Sequence, residues 1–163
     1  MTWTIAITLS VAVLGAVLGI INTWAALDRN KVKLKVIPMT GSRQGNLLTT
    51  SINAGEGKTF IVIEVHNLSA FPVTISEVGF LYHGTRRRGA MLGYEVVEGK
   101  RLPRRLDLHS SFSVFNYVEA IVESGVALGK IKCAYVKTDC DILRRGNSPA
   151  LKTLVRETRR AGG

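Results

Sequence analysis

Polar and apolar side chains are distributed along this chain in two distinct regimes. Between residues 5 and 21 the only polar side chains are Thr8 and Ser10, and the first charged residue is Asp28. An uncharged stretch of this length covers the about 20 residues that a helix needs to cross a bilayer. A helix lying on a soluble core would carry one apolar stripe, whereas this segment is apolar on all sides. Trp3 and Trp24 are 21 positions apart. On a helix that is about 31 Å, which places one indole at each headgroup boundary. The pattern predicts a transmembrane anchor over residues 1–28. A cleaved signal peptide is the rival reading, but such peptides open with a basic region and have apolar stretches of about 7–15 residues. The start Met1-Thr2-Trp3-Thr4 lacks the first feature, and the apolar run is longer than the second.

Beyond residue 28 the period shortens. In Lys31-Val32-Lys33-Leu34-Lys35-Val36 apolar and basic residues alternate, which predicts a strand with Val32, Leu34 and Val36 on one face and three lysines on the other. Residues 38–58 hold four glycines among polar residues and read as a long loop or irregular hairpin. Residues 60–65 form a β-branched run suited to a buried strand, 67–72 a turn, and 73–82 a second strand interrupted near Gly79. Residues 102–108 and 112–115 read as a further strand pair joined through His109, Ser110 and Ser111, and 117–128 as a short helix stopped by Gly129. Residues 131–136 and 140–143 read as a hairpin turning at Thr138 and Asp139. Ser148 and Pro149 then open a last helix as N-cap and first-turn proline, with Leu151, Leu154 and Val155 inward and Lys152, Arg156, Arg159 and Arg160 outward. Many short strands with turn signals and little helix predict a mainly β fold, a β-sandwich over residues 29–163.

The stretch Asn67-Leu-Ser-Ala-Phe-Pro-Val-Thr-Ile-Ser-Glu-Val-Gly-Phe80 resembles small bacterial single-span membrane proteins that carry an immunoglobulin-like β-sandwich. There a strand ends at Asn, a turn leads into Pro-Val-Thr-Ile, and a Val-Gly strand follows. Leu102-Pro103, Ala134-Tyr135-Val136 and the closing Ser148-Pro-Ala-Leu151 are similar too. The resemblance implies architecture and location and brings no activity with it. The Arg86-Arg87-Arg88 insertion has no counterpart in it.

Charge adds an orientation. Lys and Arg next to a span resist translocation, and here Arg29, Lys31, Lys33 and Lys35 face a single Asp28 while the N-terminal flank has none. The domain is therefore expected on the cytoplasmic side of the inner (plasma) membrane, close to the bilayer because so little chain intervenes. The chain carries 22 basic and 12 acidic residues, a net +10, and removing Arg29 and Asp28 leaves the whole excess on the domain. Lys31, Lys33, Lys35, Arg86, Arg87, Arg88, Arg104 and Arg105 are the candidate basic patch for anionic lipid headgroups or an acidic protein. Nucleic acid is the less favoured partner, because no helix-turn-helix, zinc finger or aromatic-basic RNA motif is visible. Within the span Gly15 and Gly19 form a G-x-x-x-G pair, and Ala12 and Ala16 repeat the small spacing. That face admits close helix packing, hence a homo-oligomer or a partner helix.

Signals for chemistry are weak. Gly57-Lys58-Thr59 imitates the end of a phosphate-binding loop, but the glycine required five places earlier is Ile52 and a strand follows. Asp107, His109 and Ser111 alternate along one segment. Same-face neighbours on a strand lie about 7 Å apart, too far for a triad. Cys133 and Cys140 lack zinc spacing, and with the turn at 138–139 Cys133 would pair with Arg144 rather than Cys140. No cofactor and no enzymatic activity is expected. The expected function is a non-enzymatic membrane-tethered interaction module. The alternative is a small phage-type effector whose transmembrane helix carries the activity.

Overall fold

The computed structural model describes residues 2–44, 47–49, 58–84, 88–91, 93–96 and 101–161. The chain divides into two compact units, Met1–Lys31 and Val32–Gly163. The first is helix α1, Thr2–Arg29. It is long and apolar enough to cross a membrane. Its large apolar side chains are exposed from Trp3 to Leu27.

The second unit consists of two antiparallel sheets and a C-terminal helix. In the first sheet the strand order is β2-β1-β3-β8-β6, where β1 is Leu34–Gln44, β2 Leu47–Thr49, β3 Lys58–Asn67, β6 Glu95–Val96 and β8 Ser111–Tyr117. In the second it is β10-β9-β4-β5, where β4 is Val73–Tyr82, β5 Arg88–Ala90, β9 Ile131–Thr138 and β10 Leu143–Gly146. Strand β7, Arg104–Leu106, also pairs with β4. Both sheets feed one core, with Val36, Ile61, Ile63, Val65 and Val114 from the first and Ile75, Val78, Phe80, Ala134 and Val136 from the second.

Four sequence-based expectations are corrected. The strand expected over residues 31–36 starts only at Leu34 and does not stop at residue 36, because β1 continues through Pro38 and pairs with β3 as far as Arg43. Leu68 N–H donates to the Lys33 carbonyl at the end of this ladder. The period of two then turns the missing N–H of Pro38 away from β3, so the proline costs no ladder bond. The glycine-rich stretch contains a hairpin: Ser42 faces Thr49 across β1 and β2. Residues 45–46 and 50–57 lie outside the described residues.

Second, residues 102–108 and 112–115 are not a hairpin. β7 joins the second sheet through β4, and β8 joins the first through β3. The chain crosses between sheets at 107–110, where His109 adopts a left-handed conformation (φ 53°). Leu106 and Phe112, on either side of the crossing, both reach the core. Third, the helix after β8 is only α2, Val118–Glu123. Gly125 ends it, not Gly129: at φ 83° it lets its N–H reach the Val122 carbonyl and the Val126 N–H reach the Ile121 carbonyl. A 3-10 turn, Leu128–Lys130, follows. Fourth, the last hairpin turns later than its sequence implies, so Lys137 faces Leu143 and Val136 faces Arg144. Cys140 lies in the turn and Cys133 faces Leu81 of β4; both thiols are free.

Helix α3, Pro149–Ala161, starts where its cap predicts, with the Leu151 N–H donating to Ser148 Oγ at 3.1 Å. Gly146 at the end of β10 permits a close approach to the first sheet, since a Cβ there would lie 1.9 Å from the Val36 carbonyl oxygen.

Candidate functional site

The described residues of the expected basic patch lie on several different elements. Core membership of Val36, Val65 and Phe112 fixes the inner face of the first sheet, so alternation puts Lys33 and Lys35 on its outer face. In register beside Lys35 stand His66 and Ser111, and Glu64 lies 3.1 Å from His66, so this part of the face mixes both signs. Arg88, Arg104 and Arg105 belong to the second sheet. Arg104 is half-buried with its guanidinium 5.4 Å over the Phe112 ring, a packing role. Exposed Arg105 faces Asp107 at 3.8 Å. Lys31 belongs to the helical unit, 3.7 Å from Asp28. Arg86 and Arg87 lie outside the described residues.

In α1, Ala12, Gly15, Ala16 and Gly19 share one side at about 100° per residue. A Cβ at Gly15 or Gly19 would meet nothing within 4 Å. The hydroxyls of Thr8, Ser10 and Thr23 donate to the carbonyls of Thr4, Ala6 and Gly19, so these polar groups are satisfied within the helix.

Among the described residues, basic side chains also gather away from the candidate patch. Leu151 and Val155 of α3 are buried, 1% and 8% exposed, and this fixes the rotation of the helix. Lys152, Arg156 and Arg159 then form an exposed stripe at spacings of four and three residues. Lys132, exposed on β9, stands beside this stripe, and with His83 at the end of β4 these residues line a hollow of about 400 Å³ over Ile131, Leu151 and Val155. None of the described lining residues is acidic. A second hollow of about 560 Å³, floored by Val126, Ala127 and Leu128, shares His83 and Arg159. The Arg159 Nε–H donates to the Gly129 carbonyl, which fixes the guanidinium between the two hollows. The helix stripe was legible in the sequence; Lys132 and His83 join it only through the fold.

Two polar groups are structural. Asn67 is fully buried: its amide donates to the carbonyls of Phe71, Leu106 and Asp107, and its Oδ1 accepts the Ser69 N–H. Asn67-Leu68-Ser69 also fits the glycosylation sequon by spelling, and in the fold its Asn67 amide is buried and taken up by these bonds. The buried Tyr135 hydroxyl donates to the Glu77 carboxylate. Burial first, and then this bond, push the Tyr135 phenol well above its ordinary range. Burial also raises the Cys133 thiol, against the opposing influence of Arg145 and Lys132.

The phosphate-loop imitation resolves into a strand, because Lys58 and Thr59 open β3. Asp107 and His109 lie in the crossing turn, where Ser110 donates to the Asp107 carbonyl, and Ser111 opens β8. Among the described residues no group of three or more His, Cys, Asp or Glu is placed to hold a metal. No family model, curated protein or solved structure matches this chain.

Proposed function

We propose that this protein is a single-span membrane protein whose immunoglobulin-like β-sandwich stands at the cytoplasmic face of the inner membrane and works there as a non-enzymatic binding module. The observation that carries the reading is α1, a helix whose apolar residues are exposed along its length and whose hydroxyls bond inside the helix. Such a surface has no stable place in water, and a bilayer is the solvent that fits it. The excess of Arg29, Lys31, Lys33 and Lys35 at one end supports the cytoplasmic side for the domain. The domain's net positive charge supports anionic headgroups as its nearest partner.

Native thiols test the reading without an added label. Cys140 is exposed and Cys133 buried. A membrane-impermeant maleimide applied to intact cells is expected to leave Cys140 unmodified and to label it after lysis, with Cys140→Ser as the control. Efficient labelling before lysis reverses the topology, and recovery of the protein in the soluble fraction removes the membrane reading.

A further inference from the structure

We infer that the hollow between α3 and β9 is a binding site for a phosphate monoester. Lys132, Lys152, Arg156 and Arg159 bring four positive side chains to one concavity whose described lining holds no acidic residue. Lys152 and Arg156 are four residues apart on one helix, a like-charge spacing that weakens a helix unless an anion lies between the charges. A single carboxylate leaves most of that charge uncompensated, whereas a phosphate monoester carries nearly two charges and three acceptor oxygens. Arg156 and Arg159 offer planar forks matched to phosphate, and Lys132 and Lys152 offer point charges. The Nε bond from Arg159 to Gly129 holds one fork in place before any ligand arrives. The hollow is larger than a phosphate group, and the adjoining one is floored by apolar residues, so the ester substituent has apolar surface to lie on. A soluble phosphate ester and the headgroup of a phosphatidic acid present the same chemistry. The site does not rest on the membrane reading, because it is built wholly within the second unit.

The full-length protein in phosphatidylcholine nanodiscs, titrated calorimetrically with phenyl phosphate, is expected to bind it at least tenfold more tightly than phenol. Lys132→Gln combined with Arg156→Gln should weaken binding at least tenfold, while Arg105→Gln on the second sheet should leave it unchanged. Unaltered near-ultraviolet tyrosine dichroism shows that the variants are folded. In discs containing phosphatidic acid, loss of phenyl phosphate binding identifies the lipid headgroup as the occupant, and retained binding identifies a soluble ester. No phenyl phosphate binding in phosphatidylcholine discs overturns the site. So does an equal loss in Arg105→Gln, or an oligonucleotide that binds more tightly and depends equally on Arg105.

Discussion

Asn67 shows how a single side chain ties distant segments together. Its amide reaches the turn after β3 at Phe71 and the end of β7 at Leu106 and Asp107, so one residue closes four backbone groups that the strands leave open. Asn67→Ala removes this partner from the buried Ser69 N–H and Leu106 carbonyl and the half-buried Phe71 carbonyl, while the Asp107 carbonyl keeps Ser110, and each buried unpaired group costs about 1–3 kcal/mol. With partial rescue by water, a loss of about 2–4 kcal/mol is expected in urea unfolding of the detergent-solubilised protein. Tyrosine dichroism is the suitable probe, since both tryptophans lie in α1 and all four tyrosines in the domain. Tyr135 sets an alkaline limit. Its phenol has an ordinary value of 10.0 and is raised by burial and by Glu77, so above about pH 10 the folded chain keeps a proton that the unfolded chain has released. Its contribution is complete below pH 10 and is lost as the pH climbs towards the raised value. The unfolding midpoint should therefore fall above pH 10, and Tyr135→Phe should flatten that part of the profile; an unchanged slope assigns it elsewhere.

Single elements owe their form to local rules and their role to what they face. α1 is a helix because nothing in it breaks one, and its small residues leave open space on one side. Gly15→Leu with Gly19→Leu therefore meets no steric obstacle within the chain, and any effect on association reports contact between helices. In a membrane two-hybrid reporter the double variant should lose most of the self-association signal. Ile21→Ala, nearly opposite on the helix, should keep it. A full signal in the double variant returns the glycines to ordinary transmembrane composition. Gly125 and Gly146 show two different demands on the same residue type. The first supplies a left-handed cap and the second the absence of a side chain beside Val36.

For the whole molecule the decisive quantity is charge and where the chain tethers it. The excess of +10 lies on the domain, and Lys33 and Lys35 follow Arg29, the last residue of α1, by only four and six positions in the chain. In nanodiscs with anionic lipid at low salt, these lysines are expected to be protected from amine-reactive labelling relative to neutral discs. Protection should vanish near 1 M salt, where screening acts over about 3 Å. Mass spectrometry of the labelled peptides reads it directly, and equal labelling in both discs makes the lysine row a solvated strand face. Exchanging residues 1–28 for an unrelated span should leave phenyl phosphate binding intact; if overproduction phenotypes follow the native span instead, the helix carries the activity.

Much of this architecture was already legible in local pattern. The uncharged run marks α1, the period of two marks β1, the β-branched run at 60–65 marks β3, the apolar stretch after the 67–72 turn marks β4, and Ser148 with Pro149 marks the start of α3, because each rests on a pattern or a cap set by neighbours within a few residues. Pattern also separates inward from outward residues, which is why the α3 cations are visible as a stripe. Partners were decided by the tertiary structure. Leu106 and Phe112 are equally apolar whichever strand they pair with, so only closure of the core sends β7 to one sheet and β8 to the other. The same holds for the last hairpin, where Lys137 faces Leu143 instead of the Cys140 that a turn at 138–139 implies, and this shift of three residues changes every cross-strand pair. The gathering of Lys132 and His83 with Arg156 and Arg159 follows from packing α3 against the 3-10 turn and β1, contacts between residues far apart in the chain that no short-range period encodes.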